Sequence, residues 1–583
     1  MKNKLNDPII EQPEPITLLL PVIEKNLEIA GIKVSRNEII KKFYTLTPRI
    51  AIITGAVDHP AQIYDDEISK ILIKKLWELN AIPLKTTMPA ICDGIAQGHY
   101  GMRFSLKSRN LSAEFLSNYL IAHHYNGAII ITSCDKTPAA YVAAAIIVDK
   151  FYKKYFNKQF YALFINTPEM KDIMVPNFLK EEFNDIFKII PANLSNERLR
   201  CNVYAKYFKF LHSASNLKRV KLKRAEEFLK RLSEFTCPTG GTCPFLGTGS
   251  TSKFVLFGLG LVPDKFAFLT PENYKSILNE SDEVLKFFLK NIKENKIEYS
   301  VSNIVKNNFD NSIRIFGTIS GSLNWFLHFE FLSDNLGLNY NRSKILRTMK
   351  NVKVYFNYNK SIYDFANSYK SQREFFSFIF HKGIIKDQIT VSGFWKKRLN
   401  KINKFDTDFI LKEPIESPFY EFKSNIFNSV LIKLTPEEKK NMERFHNKLF
   451  LTKVYYSEDD CNRDLLNPKN LLLKILKSST KEKVYRVEKW NKGDIRIAIF
   501  ILKEGYKADG MPEMYYSTEY INSDLFLRSN TILITDGRFS GATYGFAFGY
   551  MQPEAVDSKK LLSLKDGEIL HFDFNKRELK LLK

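Results

Sequence analysis

Three short apolar runs set the first pattern along the chain. They are "RIAII" (Arg49–Ile53), "GAIIIT" (Gly127–Thr132) and "FYALFI" (Phe160–Ile165), the first two rich in β-branched residues and the third in aromatic ones. Continuous runs of this length, without polar alternation, predict strands buried on both faces. Between them the spacing becomes helical. "SRNLSAEFLSNYLIAHHYNG" predicts a helix in which Leu111, Phe115, Leu116, Leu120 and Ile121 share a face, with Ser108 as N-cap and Asn126-Gly127 as the stop. Strand–helix alternation predicts an α/β fold whose sheet is mainly parallel.

The pattern changes after a polar, aromatic stretch from Ser361 to Glu413. We expect a boundary near Lys386, giving an N-terminal α/β domain of residues 1–385 and a C-terminal domain of residues 386–583. The second part is richer in strand-like runs: "SVLIKL", "KVYY", "DIRIAIFIL" and "NTILIT". The closing "GEILHFDFNKRELKLL" alternates apolar and polar residues, as a half-buried hairpin does. A β-rich C-terminal domain follows. The lysine-rich "KNIKENK" and "TPEEKKNMERFHNK" read as solvated helix faces.

Composition narrows the function classes. Hydrophobic residues make up 44%, which excludes an intrinsically disordered chain. The net charge of +23 suggests nucleic acid, but the lysines are spread evenly and no zinc-finger spacing, heptad or aromatic–basic motif accompanies them. We therefore expect no nucleic-acid partner. Six cysteines in 583 residues do not make a disulfide framework, so they are expected to act as thiols or metal ligands in a reduced, cytoplasmic protein. The apolar "ITLLLPVI" is short and follows acidic residues, unlike a signal peptide, and no run approaches the ~20 residues of a membrane span.

Polar clusters fall in loops just beyond the apolar runs, where open α/β sheets bind ligands. "TSCDKTPAA" carries Cys134, Asp135 and Lys136. "TTMPAICDGIAQGHYGM" carries Cys92, Asp93 and His99 among glycines. "CPTGGTCPFLGTGSTS" holds Cys237 and Cys243, "KEGYKADGMPEM" holds Glu513, and "DGRFSGATYG" holds Ser540. Each alone is an ordinary turn. Together they offer soft thiolates, suited to iron–sulfur chemistry, and hard carboxylates, suited to Mg²⁺. A chain with both predicts two metals with separate tasks.

At these residues the chain resembles the dihydroxy-acid dehydratase / 6-phosphogluconate dehydratase family. The resemblance rests on "PAICDGIAQGHYGMRFSLKSR", "CDK", "CPTGGTCPFLGTGST", "GTISGSLNWFLH", "KGIIKDQITVSG", "ADGMPEM", "TDGRFSGAT" and "DGEILHFDFNKREL", in this order over nearly the whole chain. "PAICDG" and "TCPFLGT" lean toward the phosphogluconate branch. The resemblance implies a hydro-lyase that converts a sugar acid, phosphorylated or not, to a 2-keto-3-deoxy acid, with a place in carbohydrate metabolism. The alternatives are a dihydroxy-acid dehydratase of branched-chain amino-acid synthesis and a diverged, non-catalytic homologue. It further implies a homodimer or homotetramer and an active site between the two domains. Carried onto matching positions, Cys134 and Cys243 ligate a two-iron or four-iron cluster, and Cys92 is either its third ligand or a buried cysteine. Asp93, Asp135 and Glu513 hold Mg²⁺, Lys136 is the position that relatives carbamylate into a further oxygen ligand, and Ser540 is the base. The chain departs from the family in four places. Ala61 stands about where dihydroxy-acid dehydratases have a cysteine, one residue is missing before Pro138, the glycine-rich loop after the next strand reads "NTPEM", and the glycine-rich entry to the second domain reads "SPFYEFKSN".

Overall fold

The computed structural model describes residues 7–216, 218–400, 402, 404–490, 495–541, 543 and 545–582. The apolar runs form a four-stranded, all-parallel sheet from β1 (Arg49–Thr54), β2 (Ile82–Thr87), β3 (Gly127–Thr132) and β4 (Tyr161–Asn166), in the order β2-β1-β3-β4. Every residue of β1, β3 and β4 is buried. This is the expected signature of strands covered on both faces by crossover helices. The sheet brings the carboxyl ends of all four strands to one edge, and the sequence-adjacent loops of interest leave from there.

Three helices matter for that edge: α1 (Asp65–Glu78), α2 (Met102–Ala122) and α3 (Lys136–Phe156). Helix α2 begins earlier than the pattern suggested. Its N-cap is Gly101, and Ser108 lies inside it, donating back to the Ser105 carbonyl (2.7 Å). Leu116 and Leu120 are fully buried, but Leu111 and Phe115 are 66% and 62% exposed, so the predicted apolar face is two faces. Helix α3 is buried almost throughout its first half because "PAAYVAAA" is apolar on every side. Its start at Lys136 places Pro138 in the first turn, where a missing N–H costs nothing.

The C-terminal part closes an eight-stranded barrel. Its strands are β5 (Phe419–Ser424), β6 (Ser429–Lys433), β7 (Lys448–Tyr455), β8 (Ile497–Ile501), β10 (Thr531–Thr535), β12 (Ala547–Gln552), β13 (Ile569–Asp573) and β14 (Glu578–Leu582). They close in the order β6-β12-β10-β8-β7-β13-β14-β5. The central β7, β8, β10 and β12 run parallel, and the predicted terminal hairpin is β13–β14, paired antiparallel from Ile569↔Leu582 to Asp573↔Glu578. Two further strands, β9 (Glu513–Met514) and β11 (Arg538–Phe539), pair with each other outside the barrel. They follow β8 and β10 and carry the C-terminal loops of interest. Among the described residues, no helix is long and apolar enough to cross a membrane.

Candidate functional site

Two donor groups lie on one cavity. The carboxylate group comprises Asp93, Asp135 and Glu513, each offering an oxygen within 4.8 Å of the other two. Asp93 follows β2, Asp135 follows β3, and Glu513 comes from β9 more than three hundred residues later. Lys136 lies among them. Its ammonium donates to Asp135 Oδ2 (2.7 Å) and to Asp93 Oδ2, and the lysine is 2% exposed. Arg538, fully buried on β11, donates to Glu513 Oε1 (2.7 Å). Three acids thus face two bases. Burial and the neighbouring Asp93 push Asp135 up to about 6, and the same two causes push Glu513 up to about 8 against the pull of Arg538 and Lys136. Burial also acts on Asp93, but Lys136 and Arg538 outweigh it and hold that carboxyl low. Asp135 Oδ1 is buried with no hydrogen-bond partner. A buried, unpaired carboxylate oxygen is costly, and a bound cation is the usual remedy.

The second group is soft. Cys92 and Cys134 are hydrogen-bonded neighbours: sharing a proton pulls the Cys92 thiol down and pushes Cys134 up, with burial adding to the rise at Cys134. Cys134 sits at φ +56°, a left-handed backbone that a non-glycine residue adopts only under constraint. The turn aims Cys134 and Asp135 in different directions from consecutive positions. Helix α4 (Thr248–Gly258) approaches closely, so that a Cβ on Gly249 would lie 3.7 Å from Cys134 Cα. Cys243, just ahead of that helix, lines the same cavity as Cys92, Cys134, Asp93, Asp135, Glu513 and Ser540. The cavity has a volume of about 230 Å³. That is several times the ~30 Å³ of a liquid water, enough for ions and a small acid.

The sequence reading left Cys92 open between ligand and buried cysteine; it lines the cavity beside Cys134. Its loop brings a third thiol to the cavity. His99 takes no part. It is exposed and bonded within its own turn, to the Ile95 carbonyl (2.9 Å) and the Gly101 N–H (3.1 Å). Cys237 lies outside the cavity lining, so the C-x5-C spacing does not mark a ligand pair.

Several site residues were not singled out by the sequence reading. Asn324 donates to Glu513 Oε1 and to Thr248 Oγ1 (3.1 Å), and accepts from the Tyr550 hydroxyl (2.6 Å). Arg109 donates to the Leu327 carbonyl (3.1 Å) and lies 3.2 Å from His328 Nδ1. Arg538 and Asn324 stood inside quoted motifs, but nothing in the motif tells a ligand from its partner. His59 had no motif at all. A ring nitrogen of His59 lies within 4.8 Å of both Cys92 and Cys134 sulfurs. Burial keeps its pKa below the usual value, favouring neutral imidazole.

Ser540 also lines a second cavity of about 250 Å³, between the barrel mouth and the N-terminal part. Phe245, Leu246, Leu323, Val354, Ile415 and Phe539 give it an apolar wall. Its one cationic lining residue, among the described residues, is Lys433. That ammonium already donates to the carbonyls of Ser320 and Gly321, and burial lowers it to about 8.

A parallel α/β sheet and a mixed barrel jointly line one cavity with adjacent thiol and carboxylate clusters, an arrangement of the enzyme class. Profiles described as dihydroxy-acid/6-phosphogluconate dehydratase match the chain at residues 47–151 and 200–361 (N-terminal profile) and 475–583 (C-terminal profile). The chain belongs to this family. It is 25% identical to the "Dihydroxy-acid dehydratase" of Methanosarcina barkeri over 92% of this chain and 87% of the relative. Similar proteins of the same name come from Thermodesulfovibrio yellowstonii (25%; 92% and 87% covered) and Pyrococcus furiosus (24%; 90% and 84% covered).

Proposed function

We propose that the protein is a hydro-lyase that removes water from a small 2,3-dihydroxy acid to give the 2-keto acid. Cys92, Cys134 and Cys243 would hold an iron–sulfur cluster. Asp93, Asp135 and Glu513 would hold Mg²⁺, with Lys136 as a further oxygen ligand once carbamylated. The observation that carries this reading is the meeting of a soft and a hard donor set on one cavity, built from sequence-adjacent pairs (Cys92-Asp93, Cys134-Asp135). When bound, these groups would supply Lewis acidity toward the hydroxyls and carboxylate of the substrate.

The chain's own part is proton handling and enclosure. Ser540, as the alkoxide, accepts the C2 proton from a substrate lying in the cavity it lines and passes it to the departing hydroxide. The C2–H electron pair becomes the C2=C3 bond, the C3–O bond breaks, and proton and hydroxide leave as water. The enol then takes a proton at C3 and becomes the ketone. Arg538 offsets negative charge around the cavity, and burial keeps its field strong.

The expectation of a sugar acid gives way to its alternative. The relatives compared are named for dihydroxy acids. The adjoining cavity has an apolar wall and no uncommitted cation for a phosphate among its described lining residues. Ala61 stands where dihydroxy-acid dehydratases have a cysteine, and here Cys92, beside Cys134, supplies a third thiol from another loop. Assembly as a homodimer or tetramer belongs to the same proposal, supported by the exposed apolar stripe Tyr100, Phe104, Leu111 and Phe115.

Anaerobically purified protein, offered dihydroxy-isovalerate, aldonic acids and phospho-aldonic acids, should form 2-keto acid fastest from the first. Ser540→Ala should lower turnover by about 10²–10⁴-fold while leaving visible absorbance intact. A colourless, iron-free protein, or faster turnover of a phosphorylated acid, would overturn this reading.

A further inference from the structure

His59 lies where neither the proposed ligand set nor the proposed proton transfer uses it. It is 4% exposed, and its Nε2 is buried with no hydrogen-bond partner. A ring nitrogen lies within 4.8 Å of both the Cys92 and Cys134 sulfurs, yet no bond joins the histidine to either. An unpartnered polar atom at this depth is rare unless something absent from the protein itself satisfies it.

The loop holding His59 is closed on itself and fastened to two of the cysteine loops. Gly55 N–H donates to Asp65 Oδ2 (2.7 Å), at the start of α1. Gln62 accepts from the Ala56 N–H (3.1 Å) and donates to Ser133 Oγ (3.2 Å), next to Cys134. The Pro60 carbonyl accepts from the Gly241 N–H (2.7 Å), and Tyr64 donates to the Thr239 carbonyl (2.5 Å), both in the Cys243 loop. The imidazole is thereby held in place rather than free to swing into the cavity.

The tautomer decides what it offers. His59 Nδ1 accepts from the Ala61 N–H (3.3 Å), capping the short turn Pro60–Gln62. In a neutral imidazole an accepting Nδ1 leaves the proton on Nε2. The spare nitrogen is then a donor and has no lone pair for iron. We propose that His59 donates its Nε2–H to a sulfur of the iron–sulfur cluster held by Cys92, Cys134 and Cys243, as a positioning residue that tunes the cluster. This rests on the proposed function above. A hydrogen bond to sulfur withdraws electron density from the cluster and raises its reduction potential.

The test compares anaerobically reconstituted wild type, His59→Asn and His59→Gln. Asparagine keeps an oxygen that can cap the Ala61 N–H but cannot reach as far as Nε2; glutamine carries an amide N–H to that distance. All three should bind equal iron and sulfide. His59→Asn should shift the midpoint potential negative and move the Fe–S stretching bands in resonance Raman spectra, and His59→Gln should restore at least half of the shift. Pulsed EPR of reduced, ¹⁵N-histidine-labelled wild type should show only the weak nitrogen coupling of a hydrogen bond. An unchanged potential and Raman spectrum in a brown, folded His59→Asn protein would overturn this inference alone. So would strong, direct nitrogen coupling, or loss of iron in His59→Asn, because either makes His59 a ligand. A wild type that takes up no iron would overturn the proposed function as well.

Discussion

The thiol half and the carboxylate half of the site are built differently. Cys92, Cys134, Cys243 and His59 all come from loops of the N-terminal part, beyond β1, β2 and β3 and ahead of α4. The carboxylate half takes Asp93 and Asp135 from the same loops but needs Glu513, Arg538 and Ser540 from the barrel side. One half is complete within the sheet edge. The other exists only when the two parts dock. The cluster site is therefore expected to tolerate disturbance of the barrel, whereas the Mg²⁺ site and the proton transfer are not.

The largest effect should come from breaking the thiol half. Cys134→Ala should remove bound iron, visible absorbance and turnover together. Mg²⁺ should still raise the melting temperature, because Asp93, Asp135 and Glu513 remain. Chelation is the mirror experiment: EDTA should abolish turnover and leave the brown colour. If both treatments remove colour and Mg²⁺ response alike, the two halves are not separable.

Next in size is Glu513→Gln. Above about pH 8, where Glu513 is ionised, it leaves Arg538 buried without that carboxylate, a change that costs about 3–5 kcal/mol at comparable pairs. Chemical denaturation should register this loss, and turnover should fall sharply while iron content stays at the wild-type level. Loss of iron here would contradict the separation of the halves.

A buried pair beneath the thiol half sharpens the comparison. Lys253 on α4 donates to the Thr167 carbonyl (2.6 Å) and pairs with Glu169 (3.0 Å), both side chains being almost fully buried. Glu169 belongs to the "NTPEM" segment that replaces a glycine-rich family loop. Burial pushes its carboxyl up to about 7 despite the lysine. Glu169→Gln and Lys253→Met should each destabilise the protein by roughly 3 kcal/mol, and the double variant by less than their sum, since neither charge is then left alone. Simple additivity in urea titrations would mean the pair is not coupled.

Smallest is Tyr550→Phe. The Tyr550 hydroxyl orients Asn324, which in turn donates to Glu513. Removing it should cost about 1 kcal/mol and lower turnover by less than tenfold, with no change in absorbance. A larger loss would promote Tyr550 from support to direct participation.

The fold was largely legible because burial on both faces leaves a strong local mark: β1, β3 and β4 lie within a residue of their apolar runs. The closing hairpin was legible for the complementary reason, its alternation. Helix α2 was misread at its start because its N-cap is Gly101, which offers no side-chain signal, and on its surface because exposed Leu111 and Phe115 look like core residues. The motif-bearing candidates were visible for a similar local reason. Cys92-Asp93 and Cys134-Asp135-Lys136 put soft and hard donors side by side, which few turns do.

What the sequence by itself determined, then, is the parallel sheet, the loops at its carboxyl edge and the two kinds of donor they carry. These follow from short-range patterns of apolarity and from residue chemistry. The tertiary structure alone decided that Cys92 meets Cys134, that Glu513 and Arg538 join Asp93 and Asp135, and that His59 faces the sulfurs with a nitrogen to spare. Those contacts join segments up to several hundred residues apart. They depend on strand order and on how the barrel seats against the sheet edge, neither of which leaves a mark in any local stretch of the chain.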